Sequence, residues 1–232
     1  MPALTANTRA LQSCVILTAL LAMFFLNWPG VDLWFSALFY RPQDGFWLAH
    51  LETVNALREV IWKLIILTFL VALGGLIFTK LFRSTTPALN KVWEVAIMTY
   101  VLGPMLLTDV ILKSHWGRAR PSTTEEFGGT AQFTPPFVIS DQCASNCSFV
   151  SGEGSGVTAL LITVMLVVRN SGPSTASKIA TGAAFAVAAA GLSLRVIMGR
   201  HFLSDTLCAV LFVTMITLAL LHLKRYRSLK LF

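Results

Sequence analysis

Charge is scarce in this chain. Only 12% of its 232 residues are Asp, Glu, Lys or Arg, against 55% apolar residues, and the mean hydropathy is +0.70. Soluble domains carry roughly a quarter charged residues, so an ordinary soluble protein is excluded and the membrane class follows. Acids are the scarcer sign, eleven against eighteen Lys and Arg. Nowhere do they cluster in the way a magnesium site needs, so metal-assisted chemistry is not expected, and neither a metal nor a cofactor is called for. The chain also lacks internal repeats and low-complexity tracts. After its first apolar run comes "NWPGVDLWF", with no small-x-small cleavage pattern. That run therefore reads as an uncleaved helix and not as a signal peptide.

Long apolar runs are abundant. About 20 apolar residues carry a helix across the hydrocarbon core, and six stretches reach or approach that length: 11–28, 60–79, 92–112, 152–168, 178–198 and 203–223. They predict an all-α integral membrane protein of six transmembrane helices, one domain over residues 1–232 without a separate soluble domain. An even number of helices puts both termini on one side. That side gathers Arg9, Lys80, Arg83, Lys91, Arg169, Lys178 and the tail "KRYRSLK", ten of the eighteen basic residues, with Glu94 the one acid nearby. The positive-inside rule makes it cytoplasmic. The net charge of +7 then reports topology and contact with anionic bilayer lipids. A nucleic-acid partner has no support, and no obligate protein partner is evident.

Three loops share the opposite face, near residues 29–59, 113–151 and 196–203. The first is rich in Trp and Phe, which suits the headgroup layer. It reads as an interfacial helix bracing the bundle, or as a guide for a lipid. Cys14 and Cys208 fall inside apolar helices and read as inert core residues. Cys143 and Cys147, four apart in the long loop, fit a small disulfide ring on an oxidising side. A metal pair is the alternative, though no further Cys or His stands near to complete it.

Chemistry-bearing residues collect at three places on this face. "KSHWGRARP" supplies Lys113, His115, Arg118 and Arg120. "SFVSGEGSG" supplies Ser148, Ser151, Gly152 and Glu153, and "LRVIMGRHFLSD" supplies Arg195, Arg200, His201 and Asp205. Fixed cations and a Ser-Gly turn opening a helix are what a phosphate group requires. Asp205, four residues after His201, would share a helical face with it, orienting the ring as a nucleophile or base. The plainer alternatives are snorkelling cations and a satisfied His–Asp structural pair.

Taken together, Lys113-x6-Arg120-Pro121, Ser151-Gly152 and Arg195-x5-His201-x3-Asp205 resemble the three-part motif of the type 2 phosphatidic acid phosphatase superfamily, over about residues 95–215. The resemblance implies a six-helix, metal-independent membrane lipid phosphatase. Lys113, Arg120 and Arg195 would then bind phosphate with Ser151 and the Gly152 amide, His201 would form a phosphohistidine, and Asp205 would orient it. His115, Arg118 and Arg200 would be secondary, the two arginines mattering less because the motif does not require them. "CxxxCSFVSG", "WGRARP" and the aromatic first loop are similar to bacterial lipid A phosphatases, which remove the 1- or 4′-phosphate on the periplasmic face of the inner membrane. Undecaprenyl pyrophosphate, phosphatidylglycerophosphate or phosphatidate would suit the same site, as would phosphotransfer to a lipid hydroxyl.

This sequence departs from the family pattern at Val150, where Pro is usual, and at Leu194, where Ser is usual. The larger departure is Glu153, which stands where the family has the His that protonates the leaving oxygen. Glu153 is either a substitute acid, with His115 in reserve, or only a favourable residue in a helix's first turn. A weak acid would favour a good leaving group, hence a 1-phosphate or pyrophosphate. With the His missing, a non-enzymatic phospholipid binder or carrier is the remaining alternative. One feature is directly checkable: thiol labelling after denaturation is expected to find two reactive cysteines without reductant and all four with it. Four in both states would remove the disulfide.

Overall fold

The computed structural model describes residues 2–82, 87–172 and 174–231; Arg83, counted above on the basic side, lies outside them. Among the described residues the secondary structure is helical, with two isolated β-bridges and no strand. Helix α1 spans Pro2–Asn27 and the short α2 Gly30–Ala37. Helix α3 runs over Glu52–Phe82. Helix α4, Pro87–Tyr100, continues without a break into a π-helical segment, Val101–Leu112, and a last turn, Lys113–His115. Three more follow: α5 (Gly152–Ser171), α6 (Thr175–Ile197) and α7 (Leu203–His222). Six of these helices are long and apolar enough to cross a membrane.

Their bounds overshoot the apolar runs at several ends, α3 by about two turns at its start. A hydropathy run marks only the hydrocarbon-depth part of a helix, and the polar turns beyond it lie in the headgroup layer. The π-helical stretch had no counterpart in the periodicity. It contains Gly103 and Pro104, and proline removes one backbone donor from the regular ladder.

Helix α5 is the hub, packed by α3, α4, α6 and α7. Its apolar window is 67% buried against 6% for α1, so α5 is the centre of the bundle and α1 faces lipid. Lipid tails are as apolar as leucine, so helices in a bilayer associate through close backbone approach and hydroxyl pairs. Both are present. Ala184, Ala188 and Gly191 form the buried stripe of α6. Thr108 bonds Ser155 at 2.8 Å and Thr99 bonds Thr217 at 3.0 Å, joining α4 to α5 and to α7.

All three motif clusters arrive at one end of the bundle, where α5 and α7 begin and α4 and α6 finish. At the other end the tail folds back under the helices. Arg225 binds Glu94 at 2.6 Å, Asn170 holds the backbone of Lys230 and Asn7 donates to the carbonyl of Leu229.

The α5–α6 contact yields a stability test. A Cβ on Gly191 would meet Val157 Cγ1 at 2.7 Å and Ile61 Cγ2 at 3.3 Å, neither of which can swing aside. Gly191→Ala is expected to cost about 1–3 kcal/mol, the scale of overpacking, read as a lower melting temperature of the detergent-solubilised protein. An unchanged temperature would mean the helices separate freely.

Candidate active site

The loop between α4 and α5 has almost no regular structure, so something other than a backbone ladder must hold it. That is Arg118. Its side chain is fully buried, pairing with Asp32 of α2 at 2.9 Å and with Asp205 of α7. It also donates to the carbonyl of Thr134 at 2.8 Å and to Ser204 Oγ at 2.9 Å, with the ring of Phe202 4.4 Å from its guanidinium carbon. Asp32 accepts from the Ser204 amide at 2.9 Å. The two carboxylates thus carry satisfied bonds, which buried charge demands. Arg118 was expected to matter less than Arg120; its burial between two acids makes it the brace of the site instead. Asp32 carried no chemical motif. Its signal was an acid inside an aromatic run, "GVDLWF", which if buried needs a cation.

Asp205 is equally placed for support. Its Oδ2 accepts from Ser148 Oγ at 2.6 Å and from the Phe202 amide at 2.9 Å. His201 Nδ1 lies 3.9 Å from that oxygen, too far for a hydrogen bond. It donates instead to the carbonyl of Ser148 at 2.7 Å. A carbonyl can only accept, so Nδ1 carries the proton and Nε2 keeps its lone pair. Asp205 therefore orients His201 through Ser148, not by direct contact. Burial, with Arg195, Arg120 and Lys113 around it, holds the imidazole well below its ordinary pKa, against the opposing pull of the Ser148 bond. Burial and the surrounding cations both favour the uncharged imidazole.

His201 lines a polar cavity of about 270 Å³ with Arg58, Lys113, Arg120, Arg195, Arg200, Glu153, Asn55, Asn146 and Met198. Five cations thus face one carboxylate. Each is set by local structure. Lys113 follows the π-helical segment, 3.1 Å from Asp109, and its Nζ lies against the position a Cβ on Gly152 would take, so a larger residue there would push the ammonium group aside. Arg195 is buried at the end of α6, and its Nε–H is a buried donor with no partner. Buried donors are otherwise satisfied; among the described residues this one meets no acceptor. The turn from Arg195 to His201 closes through amides of Arg200 and His201 donating to the Arg195 carbonyl at 3.1 and 3.0 Å. Gly199 sits in it at φ +64, against the Phe46 ring.

Ser151 caps α5, its Oγ accepting from the Gly154 amide at 3.1 Å. Glu153, in the first turn, accepts from Arg58 Nε at 2.9 and 3.2 Å and from Arg58 Nη2, and lies 3.3 Å from Arg195. Both of its oxygens are thus engaged by guanidinium groups. Arg58, from α3, was missed by the motif, which begins downstream; an arginine just ahead of an apolar run was its only signal. His115 does not reach the cavity: its Nδ1 bonds the carbonyl of Ile111 at 2.8 Å. Cys143 and Cys147 form a disulfide, Cα atoms 5.6 Å apart. Among the described residues no three His, Cys, Asp or Glu side chains converge as metal ligands would.

A cation-lined cavity with a buried neutral histidine, at one end of a membrane bundle, defines an enzyme that handles phosphate groups at a bilayer. The chain belongs to the PAP2 superfamily, whose description matches residues 93–229, and it is a membrane lipid phosphatase. It is similar to proteins named lipid A 4′-phosphatase. That of Francisella tularensis subsp. novicida (strain U112) is 34% identical over 216 residues, covering 88% of this chain and 91% of the relative. That of Rhizobium leguminosarum is 32% identical over 219 residues with the same coverage. That of Rhizobium etli is 30% identical, covering 88% of this chain and 83% of the relative. No solved structure matches. Six spans and these relatives make it a multi-pass bacterial membrane protein.

The two arginines of "GRAR" separate stability from function. Arg118→Ala would leave Asp32 and Asp205 buried without their cation, at a cost of about 3–5 kcal/mol, and is expected to lower the melting temperature sharply or prevent recovery of folded protein. Arg120→Ala should melt like the parent. Equal melting of both variants would refute the brace.

Proposed function

We propose that the protein hydrolyses the 4′-phosphate of lipid A, through a phosphohistidine on His201, on the periplasmic face of the bacterial inner membrane with both termini cytoplasmic. The observation that carries this is His201 itself, uncharged, with Nδ1 fixed and Nε2 free, inside a cavity of five cations. The names of the relatives support lipid A and its 4′ position, over the 1-phosphate that leaving-group chemistry alone favoured. The basic end opposite the site supports the orientation.

In this mechanism Lys113, Arg120 and Arg195 grip the non-bridging phosphate oxygens, joined by the free amides of the first turn of α5. Nε2 of His201 attacks phosphorus in line, the sugar oxygen leaves with a proton, and water then hydrolyses the phosphohistidine. Asp205 and Ser148 hold the ring throughout. Glu153 faces the same space, either as the group that moves the proton or as the anion set between Arg58 and Arg195, bridging the two. The second reading rests on the bonds already described.

Phosphate release from lipid A, with mass spectrometry of the product, tests the proposal. His201→Ala should abolish release and the trapped, acid-labile phosphoenzyme, and Lys113→Ala, Arg120→Ala and Arg195→Ala should each lose at least about 100-fold. Glu153→Gln keeps size and hydrogen-bonding shape but cannot carry the proton. A loss of about 100-fold marks the acid; nearly parental turnover marks the bridge. A product still bearing its 4′-phosphate would overturn the assignment.

A further inference from the structure

Arg120 differs from the other cations of the cavity in how it is held. It makes no ion pair among the described residues. Its guanidinium instead donates to a single residue: Nε and Nη2 reach the carbonyl of Asn146 at 3.3 and 2.8 Å, and Nη2 reaches Asn146 Oδ1 at 3.0 Å. Four other guanidinium or ammonium groups share the cavity, so like charge would drive Arg120 away from it. Something must oppose that, and here it is a neutral amide. A carboxylate would hold the arginine equally well but cancel its charge, whereas carbonyl oxygens hold it and leave the charge for a phosphate.

Asn146 is itself held in an unusual way. It has φ +49, a left-handed conformation that asparagine tolerates better than most residues. It is the penultimate member of the ring closed by Cys143–Cys147. The Cys147 amide donates to the carbonyl of Lys113 at 3.2 Å, and the Ser148 amide to that of Arg118 at 2.9 Å. The next bond along the chain is the one from His201 to the Ser148 carbonyl. The small ring therefore stands between a phosphate-gripping arginine on one side and the anchor of the nucleophile on the other.

From this geometry we propose that Asn146 is a positioning residue for the phosphatase reaction, aiming Arg120 at the substrate phosphate, and that the Cys143–Cys147 disulfide keeps Asn146 in place. Reduction of the bond, which adds two electrons and two protons to give two thiols, then weakens phosphate binding. The inference builds on the phosphatase mechanism above, but it is tested separately.

The experiment measures, for purified protein, the KM and kcat on lipid A and the affinity for inorganic phosphate. Asn146→Gly keeps the left-handed turn and the backbone carbonyl but removes the side chain with its Oδ1 acceptor; Asn146→Asp keeps both acceptors of Arg120 but adds a charge. The Asp variant is expected to raise KM and the phosphate dissociation constant about tenfold, the scale of one charge-assisted hydrogen bond, with kcat changed little. The Gly variant should fall between it and the parent. Dithiothreitol, itself oxidised to its cyclic disulfide, should weaken phosphate binding by the parent about tenfold. It should leave Cys143→Ser/Cys147→Ser, already weak, unaffected. Melting temperature should stay near the parent's in Asn146→Asp, which a merely structural role would also allow; the rise in KM it would not. Parental affinity in both Asn146 variants, from an active enzyme, overturns this inference alone. A parent that releases no phosphate overturns the mechanism instead, while phosphate binding that still depends on Asn146 would leave this inference standing.

Discussion

Everything at the site end of this molecule hangs on one buried cation between two buried carboxylates. Arg118 joins the loop after α4 to α2 through Asp32 and to α7 through Asp205. Stripping water from three charges is costly, and their attraction offsets that cost only with good geometry and full hydrogen bonding. Here the requirement is met by Ser148, Ser204, the Phe202 amide and the Thr134 carbonyl. The same bonds fix the backbone that carries the chemistry. Ser148 bonds Asp205 with its hydroxyl and His201 with its carbonyl, so the tautomer of His201 depends on the ion pairs one layer behind it.

Two layers of charge result, with opposite rules. Behind His201, cation and anions are matched and dry. In front of it, five cations meet one carboxylate, an imbalance that costs stability and that a bound phosphate dianion would relieve. Within that cluster Glu153 bonds Arg58 and lies beside Arg195, and the oxygens of Asn146 accept from Arg120.

Much of this was legible in the sequence. Six apolar runs gave the helices, since bilayer thickness imposes a length that composition reveals directly. Lys113, Arg120, Gly152, Arg195 and His201 could be picked out by spacing and do line or adjoin one cavity. What the sequence hid were partners far along the chain. Asp32 and Arg58 belong to segments outside the motif, and nothing local in "GVDLWF" or "ALREVIW" tells which arginine or acid each will meet. Arg118 and Arg120 are two residues apart in an irregular loop, so no periodicity distinguishes the one that turns inward. The link from Asp205 to His201 was misjudged for a related reason: helical spacing suggested direct contact, but His201 precedes α7 and its ring turns to a carbonyl on another loop.

The brace also orders the molecule in time. Asp32 emerges early in synthesis, Arg118 midway, and Asp205 only with the last span. Until α7 is inserted, Arg118 has one acid where it needs two, and Ser148 has no carboxylate to bind. The brace is therefore completed only when the last span is in place. An incomplete chain left in the bilayer would hold the cations of its earlier helices without the carboxylate that fixes the loop behind His201.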